Sequence, residues 1–128
     1  MKIISYMKNS DFNTDINFLK LYVKEFCEER DWDQFHTPKE LAIGISTESA
    51  ELLDLFRFKS EEEVQKIINS TKREEVEDEL ADILFFLLRF AKTNEIDLSE
   101  AIVKKINKNK EKYPIDKVKG NNKKYNEY

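Results

Sequence analysis

The chain has 128 residues, of which 40% are hydrophobic and 38% charged, with only two Gly and two Pro. This length fits one domain with a modest core, and so few turn-forming residues disfavour an all-β fold with many short loops. The formal net charge of -4 gives no long-range attraction for nucleic acid or acidic membranes, so neither is an expected partner.

The first long helix is predicted from about residue 11 to residue 30, because apolar residues recur there at helical spacing. This stripe comprises Ile16, Leu19, Val23 and Phe26. A short linker, residues 31–36, follows it. Thr37 then opens a capping box with Pro at the first helical position, and this predicts a second long helix that continues to about Phe56.

The middle of the chain predicts a short helix followed by a third long one. Ser60 begins a second capping box, from which a short helix should run to about Asn69. Helical periodicity then continues over residues 72–93, and Asn94 suits the left-handed position that ends many helices.

The last long helix is capped by Asp97 and should continue to about Lys112, since Pro114 stops it. Residues 118–128 are polar without periodicity, which predicts a flexible tail after a single domain spanning residues 1–117. Four long helices with short connections indicate an all-α, four-helix bundle-like fold with one short extra helix.

Two pairs of acids share one spacing, Glu48 with Glu51 on the second helix and Glu79 with Asp82 on the third. Residues three apart on a helix point in similar directions, so two such pairs on facing helices could form one cluster of four carboxylates. Hard oxygen ligands suit Mg²⁺, with Mn²⁺ as a substitute. The spacing therefore suggests a metal site.

The alternative is that these acids are ordinary solvated groups, as most acids on a Glu- and Lys-rich helix are. The position of Glu48 argues against this, because it falls within the apolar stripe of the second helix, where an unpartnered carboxylate is costly. That stripe otherwise comprises Leu41, Ile45, Leu52 and Leu55. Periodicity alone leaves both interpretations open.

The cellular location is predicted from what the sequence lacks. Cys27 is the single cysteine and cannot form an internal disulfide. The first fifteen residues turn polar too early for a secretory signal, and the longest apolar run, residues 83–88, is too short to span a bilayer. We therefore expect a cytoplasmic protein.

The acid pattern resembles the metal-binding signature of the MazG-like all-α nucleoside triphosphate pyrophosphohydrolases, and four further blocks are similar to the dCTP pyrophosphatase branch of that family. The blocks are residues 29–41 (ERDWDQFHTPKEL), 51–56 (ELLDLF), 79–83 (ELADI) and 105–114 (KINKNKEKYP). They keep their order and fall within residues 19–114. The resemblance implies Mg²⁺-dependent hydrolysis of a dNTP to the dNMP and pyrophosphate, with dCTP or a modified dCTP as substrate.

The resemblance also implies roles for individual residues. The four acids would bind the metal, and Glu48 or Glu51 would act as the general base. The residues that would contact the nucleotide are Trp32, Phe35, His36, Lys39, Phe58, Phe86, Lys105, Asn109, Lys112 and Tyr113. For the aromatic residues, plain core packing is the alternative, and for the last four it is an ordinary solvated helix.

This sequence departs from the pattern of the branch around the base pocket. Phe58 stands where a Trp is common, Phe86 where a Tyr is common, and Val23 where a His is often found. The same reaction on another nucleotide, such as dUTP or a phosphoribosyl-ATP-like substrate, therefore stays open, as does a non-catalytic helical interaction module. The resemblance further implies a homodimer or homotetramer.

Overall fold

The computed structural model describes residues 9–127, and within this range it contains helices and no strand, which confirms the predicted all-α class. The helices are α1 (Ile16–Glu29), α2 (Pro38–Phe56), α3 (Glu61–Ile68), α4 (Arg73–Thr93), α5 (Leu98–Lys112) and α6 (Ile115–Val118), with one 3-10 turn at Asp33–Phe35. None of these helices is both long and apolar enough to cross a membrane. The chain divides into two compact units, one ending at Glu95 and the other beginning at Ile96.

The first unit is organised around α4. This helix packs most extensively along α2, then along α1, and it also contacts α3. The buried apolar residues of the described range come from α1, α2 and α4, and they are Val23, Cys27, Leu41, Leu88 and Ala91. Leu41 and Cys27 are completely buried.

The predicted capping residues begin their helices as expected. The side chain of Thr37 accepts a hydrogen bond from the backbone N–H of Glu40, and that of Ser60 accepts one from Glu63 at 3.1 Å. Asp97 accepts the N–H of Glu100 at 2.8 Å. Each bond satisfies a donor that the first helical turn leaves without an intrahelical partner.

Two predicted helix ends are wrong. The first helix begins at Ile16 and not near residue 11, because Asp15 is the N-cap and accepts the N–H of Phe18 at 2.7 Å. The left-handed residue after α4 is Glu95, with φ 54°, and not Asn94. Asn94 is the C-cap with a negative φ of -111°, and both its backbone N–H and its side-chain amide donate to the carbonyl of Phe90.

The second unit contains α5 and the residues after it. Pro114 ends α5 as predicted, but it also serves as the N-cap of the additional helix α6, which the sequence analysis missed. Beyond α6, the ring of Tyr125 lies edge-on to Tyr113 with centroids 6.3 Å apart, and the ammonium group of Lys112 lies 5.0 Å from the Tyr125 centroid. The predicted domain limit at residue 117 stays a prediction.

Candidate functional site

The side chains of Glu48 and Glu51 on α2 meet that of Glu79 on α4. One carboxylate oxygen from each residue lies within 4.8 Å of the other two. The helical spacing of three residues brings both α2 acids to the same side, and the packing of α2 on α4 brings Glu79 to them. Three acids from two different helices thus converge on one point.

The electrostatics of this cluster disfavour full ionisation. Partial burial, followed by a hydrogen bond that protonated Glu48 donates to Glu51 and by the negative charges of its neighbours, raises the pKa of Glu48 from 4.5 to about 7. The pKa of Glu79 is also raised, first by burial and then by the charge of Glu51. A carboxyl–carboxyl hydrogen bond requires a proton on one partner, so the cluster retains protons near neutral pH.

The donor set fits a hard divalent cation. Within the described range, the buried Oε2 atoms of Glu48 and Glu79 have no conventional hydrogen-bond donor. Carboxylate oxygens without donors in a cluster of like charge are suited to Mg²⁺ or Mn²⁺. Asp82 is exposed and lies outside the three-residue cluster, but its negative charge contributes to the raised pKa of both Glu48 and Glu79.

A groove of about 580 Å³ runs beside Glu51 along the outward side of α2. It is lined by Thr47, Ala50, Glu51, Leu53, Asp54 and Arg57. A volume of this size is in the range of small-molecule sites. Glu51 is therefore the member of the carboxylate cluster that borders this groove.

A chain of aromatic rings contains three of the predicted nucleotide-contacting residues. The Trp32 ring lies edge-on to His36 and to Phe26, with centroids 6.1 and 5.5 Å apart. Phe26 contacts Phe85, which in turn lies edge-on to Phe86 at 5.4 Å. Packed rings thus connect the linker before α2 to Phe86, which lies on α4 one turn after Asp82.

Three other predicted contact residues are exposed. Phe35 and Lys39 lie in the 3-10 turn and the first turn of α2, and neither joins the aromatic chain. Phe58 is 91% exposed and has a left-handed backbone with φ 63°, a conformation that costs energy for a bulky residue. The guanidinium group of Arg57 lies 4.6 Å from its ring centroid.

The remaining four predicted contact residues belong to the second unit. Lys105 and Asn109 lie on α5, Lys112 is its last residue, and Tyr113 is its C-cap. Lys112 and Tyr113 both lie near the ring of Tyr125, so the end of α5 packs against the segment that follows α6. Their roles toward a nucleotide stay predictions.

Sequence reasoning missed Arg89 on α4, which is 3% exposed. Its Nε donates to Nδ1 of His36 at 3.0 Å, and its Nη2 forms a salt bridge with Oδ1 of the more exposed Asp33. A signal was available, because Arg89 is the single charged residue in the apolar run 83–91. A charge inside such a run requires a partner, but periodicity does not say which one.

Comparisons with known proteins agree with this architecture. A profile described as the MazG-like family matches residues 43–128. The chain is 35% identical over 102 residues to dCTP pyrophosphatase 1 of Rattus norvegicus, and 34% identical over 104 residues to that of Homo sapiens. These alignments cover 79% and 80% of this chain but only 60% and 61% of the two relatives.

A solved structure shows the same similarity in three dimensions. The crystal structure of a pyrophosphatase from Archaeoglobus fulgidus superposes with a TM-score of 0.74 at 39% sequence identity. The match covers 84% of this chain and 99% of the archaeal one. The structural match and the sequence matches therefore both relate this chain to pyrophosphatases.

Proposed function

The chain belongs to the MazG-like family, and on that premise we propose that it is a metal-dependent nucleotide pyrophosphohydrolase. Its reaction would be the cleavage of a dNTP, with dCTP or a modified dCTP as the first candidate, to the dNMP and pyrophosphate. Such an enzyme would remove unwanted nucleotides from the cellular pool. The observation that carries the proposal is the convergence of Glu48, Glu51 and Glu79, with two buried oxygens that lack donors within residues 9–127.

We propose that Glu48, Glu51, Glu79 and Asp82 hold Mg²⁺, for which Mn²⁺ could substitute. When bound, the cation offsets the repulsion between these acids and a triphosphate and polarises phosphate oxygens and water. Asp82 fits this role because its charge already acts on Glu48 and Glu79. Its exposure leaves room for it to complete the ligand set from the solvent side.

Glu48 and Glu51 are the two candidates for the general base. A general base must be unprotonated at the working pH, and a bound cation would oppose the effects that raise the pKa of Glu48 in the metal-free protein and would keep this carboxylate ionised. Glu51 is the more exposed of the two and lines the groove beside α2. One carboxylate of this pair would accept the proton of the water that attacks the α-phosphorus.

We propose that Trp32, His36 and Phe86 contact the base of the nucleotide. The relatives named dCTP pyrophosphatase 1 support a cytosine nucleotide. The similarity spans only about 60% of their length, so the substrate of this chain requires its own test. Lys105, Asn109, Lys112 and Tyr113 would hold the phosphates and ribose through cationic and polar groups.

We also propose a homodimer or homotetramer in the cytoplasm. Leu80, Leu84 and Leu87 follow one another at helical spacing along α4, with 52%, 39% and 39% of their surfaces exposed. A continuous row of large apolar side chains indicates a surface that another chain covers. A second copy of this chain is the occupant we propose, because the small core leaves this row without cover in the described unit.

The deciding experiment is incubation of the protein with dCTP and Mg²⁺, with identification of every product. We expect dCMP and pyrophosphate in equal amounts, whereas release of single phosphate would contradict the reaction class. A panel containing dCTP, a modified dCTP, dUTP and phosphoribosyl-ATP, ranked by kcat/KM, would identify the substrate. Absence of hydrolysis together with absence of Mg²⁺ or Mn²⁺ binding in calorimetry would favour a helical interaction module instead.

A further inference from the structure

Arg89 is a buried cation that the proposed chemistry does not use. Burying a guanidinium group is unfavourable unless hydrogen bonds and an opposite charge compensate for the lost water. Both partners of Arg89 come from the linker between α1 and α2, since its Nε donates to His36 and its Nη2 to Asp33. Arg89 therefore connects α4 directly to the segment that carries Trp32 and His36.

The direction of the bond to His36 determines where the imidazole holds its proton. Arginine has donors and no acceptor, so Nδ1 of His36 must be the acceptor in the 3.0 Å contact. A neutral imidazole with a lone pair on Nδ1 carries its hydrogen on Nε2. His36 is thus held as a hydrogen-bond donor at Nε2.

On balance the groups around His36 favour the neutral ring, although the negative charge of Asp33 acts in the opposite direction by raising the pKa of His36. A pocket of about 270 Å³ brings it together with charged residues from α1, the linker and α4, which are Lys24, Glu28, Asp33, Arg89 and Lys92. Lys24 pairs with Glu28 and Asp33 pairs with Arg89, while Lys92 adds another positive charge. In agreement with this, burial and then the charge of Arg89 lower the pKa of His36 from 6.5.

We propose that Arg89 is a positioning residue that fixes His36 as a permanent Nε2–H donor, so that His36 recognises an acceptor atom on the nucleotide base. This role rests on the proposed function. The ring nitrogen N3 and the O2 oxygen of cytosine are acceptors, whereas its 4-amino group is a donor. His36 held in this way can bind the first two and cannot accept from the amino group.

Two substitutions at position 89 separate the donor from the charge. In Arg89→Gln, the side-chain amide nitrogen follows Cδ and occupies the chain position of the arginine Nε, so it can still donate to His36. In Arg89→Met, a methyl group occupies that position and cannot donate. Both variants lose the salt bridge with Asp33 equally, and thermal unfolding would show whether their stabilities match.

The first measurement is the nitrogen-15 spectrum of the imidazole, which is unambiguous because His36 is the single histidine. We expect the Nε2–H tautomer in the unaltered protein and in Arg89→Gln from about pH 6 to pH 8, without nucleotide. In Arg89→Met we expect averaging between tautomers and titration closer to pH 6.5. An Nδ1–H tautomer in the unaltered protein, or an Arg89→Met spectrum identical to it, would overturn the proposal.

The second measurement is steady-state hydrolysis of dCTP. We expect KM of Arg89→Met to exceed that of Arg89→Gln by roughly two- to tenfold, which corresponds to one hydrogen bond, with a smaller effect on kcat. If the unaltered protein hydrolyses dCTP and the two variants have the same KM, the proposed role of Arg89 is overturned, while the proposed function stands. An unaltered protein that cleaves no triphosphate would overturn the proposed function, while the histidine spectra would still decide whether Arg89 fixes the tautomer.

Discussion

The ring of Phe86 lies against the backbone of Gly44, where α4 packs on α2. A Cβ atom at position 44 would lie 2.7 Å from Cδ1 and Cε1 of this ring and 2.9 Å from its Cγ. The same ring also packs edge-on against Phe85, with 5.4 Å between the centroids, so moving it would disturb a second contact. Gly44 therefore permits the close approach of the helices that carry Glu48 and Glu79.

Substitution of this glycine tests that contact. Ala is the better helix former by about 1 kcal/mol, so Gly44→Ala would stabilise an isolated helix. Overpacking against Phe86 costs about 1–3 kcal/mol, and we expect this cost to dominate. Urea denaturation should show a loss on the order of 1 kcal/mol in the free energy of unfolding.

The matched control is the same substitution with the ring removed. In a Phe86→Ala background the ring and its Cγ are absent, so Gly44→Ala should become neutral or stabilising relative to Phe86→Ala alone. A double-mutant cycle with no coupling between the two positions would show that the ring contact does not limit helix approach.

Local signals in the sequence predicted most of the fold. The caps at Thr37, Ser60 and Asp97 depend on residues three positions away, so they can be recognised without knowledge of the tertiary structure. The start of α1 was missed because several polar residues before Ile16 could serve as caps, and only the bond to Phe18 identifies Asp15. The left-handed conformation of Glu95 was also missed, because Asn is found in that conformation more often than Glu and Asn94 stands next to it.

Contacts between helices were predictable only where the pattern of residues on one helix face indicated them. The position of Glu48 within an apolar stripe indicated that it would face α4, and Glu48 and Glu79 lie in one cluster. The bond from Arg89 to His36 joins residues 53 positions apart, and nothing in the apolar run around Arg89 selects that partner. Side-chain exposure, as for Asp82 and Phe58, likewise depends on packing that no local pattern specifies.

The variant Glu48→Gln tests the carboxylate cluster in two opposite ways. It replaces a carboxyl group whose pKa is raised to about 7 by burial and by the neighbouring acids with a neutral amide, so above about pH 7 the metal-free protein should unfold at a higher temperature. It also removes a proposed ligand, so the increase in Tm caused by Mg²⁺ should be lost and hydrolysis should fall at least about a hundredfold. Differential scanning fluorimetry with EDTA or Mg²⁺ measures both effects on stability.

A suitable control is Asp78→Asn, which removes an exposed carboxylate next to Glu79 on the same helix. It should retain both activity and the Mg²⁺-dependent increase in Tm. If Glu48→Gln behaved like this control, the metal assignment on α2 would be refuted. Circular dichroism should show the same helix content in both variants.

The raised pKa of Glu48 predicts a pH dependence of stability without metal. Its pKa is 4.5 when the chain is unfolded and about 7 when folded, so the folded state binds the proton more tightly. This contribution to stability is fully present below about pH 4.5 and is lost as the pH rises through 7. In EDTA, Tm should therefore fall between about pH 5 and pH 8.

The difference between the unaltered protein and Glu48→Gln isolates this effect. His36 acts in the opposite direction, since its lowered pKa removes stability as the pH falls below 6.5, but it is present in both proteins. Mg²⁺ competes with the protons, so its affinity should rise over the same interval. Calorimetry in two buffers of different ionisation enthalpy should detect proton release on binding, and pH-independent binding without proton release would contradict the assignment.

The exposed leucine row of α4 predicts that Leu84→Glu disrupts the proposed homo-oligomer. Leu84 lies between Leu80 and Leu87, so a second chain packed there would have to bury the new carboxylate. Burial of a charge without a partner costs several kcal/mol, which should weaken assembly by roughly a hundredfold or more.

Gln65→Glu on α3 adds the same charge at an exposed polar position and should leave the assembly intact. Size-exclusion chromatography with light scattering would refute the proposed interface if the unaltered protein were monomeric or if Leu84→Glu eluted as the same oligomer.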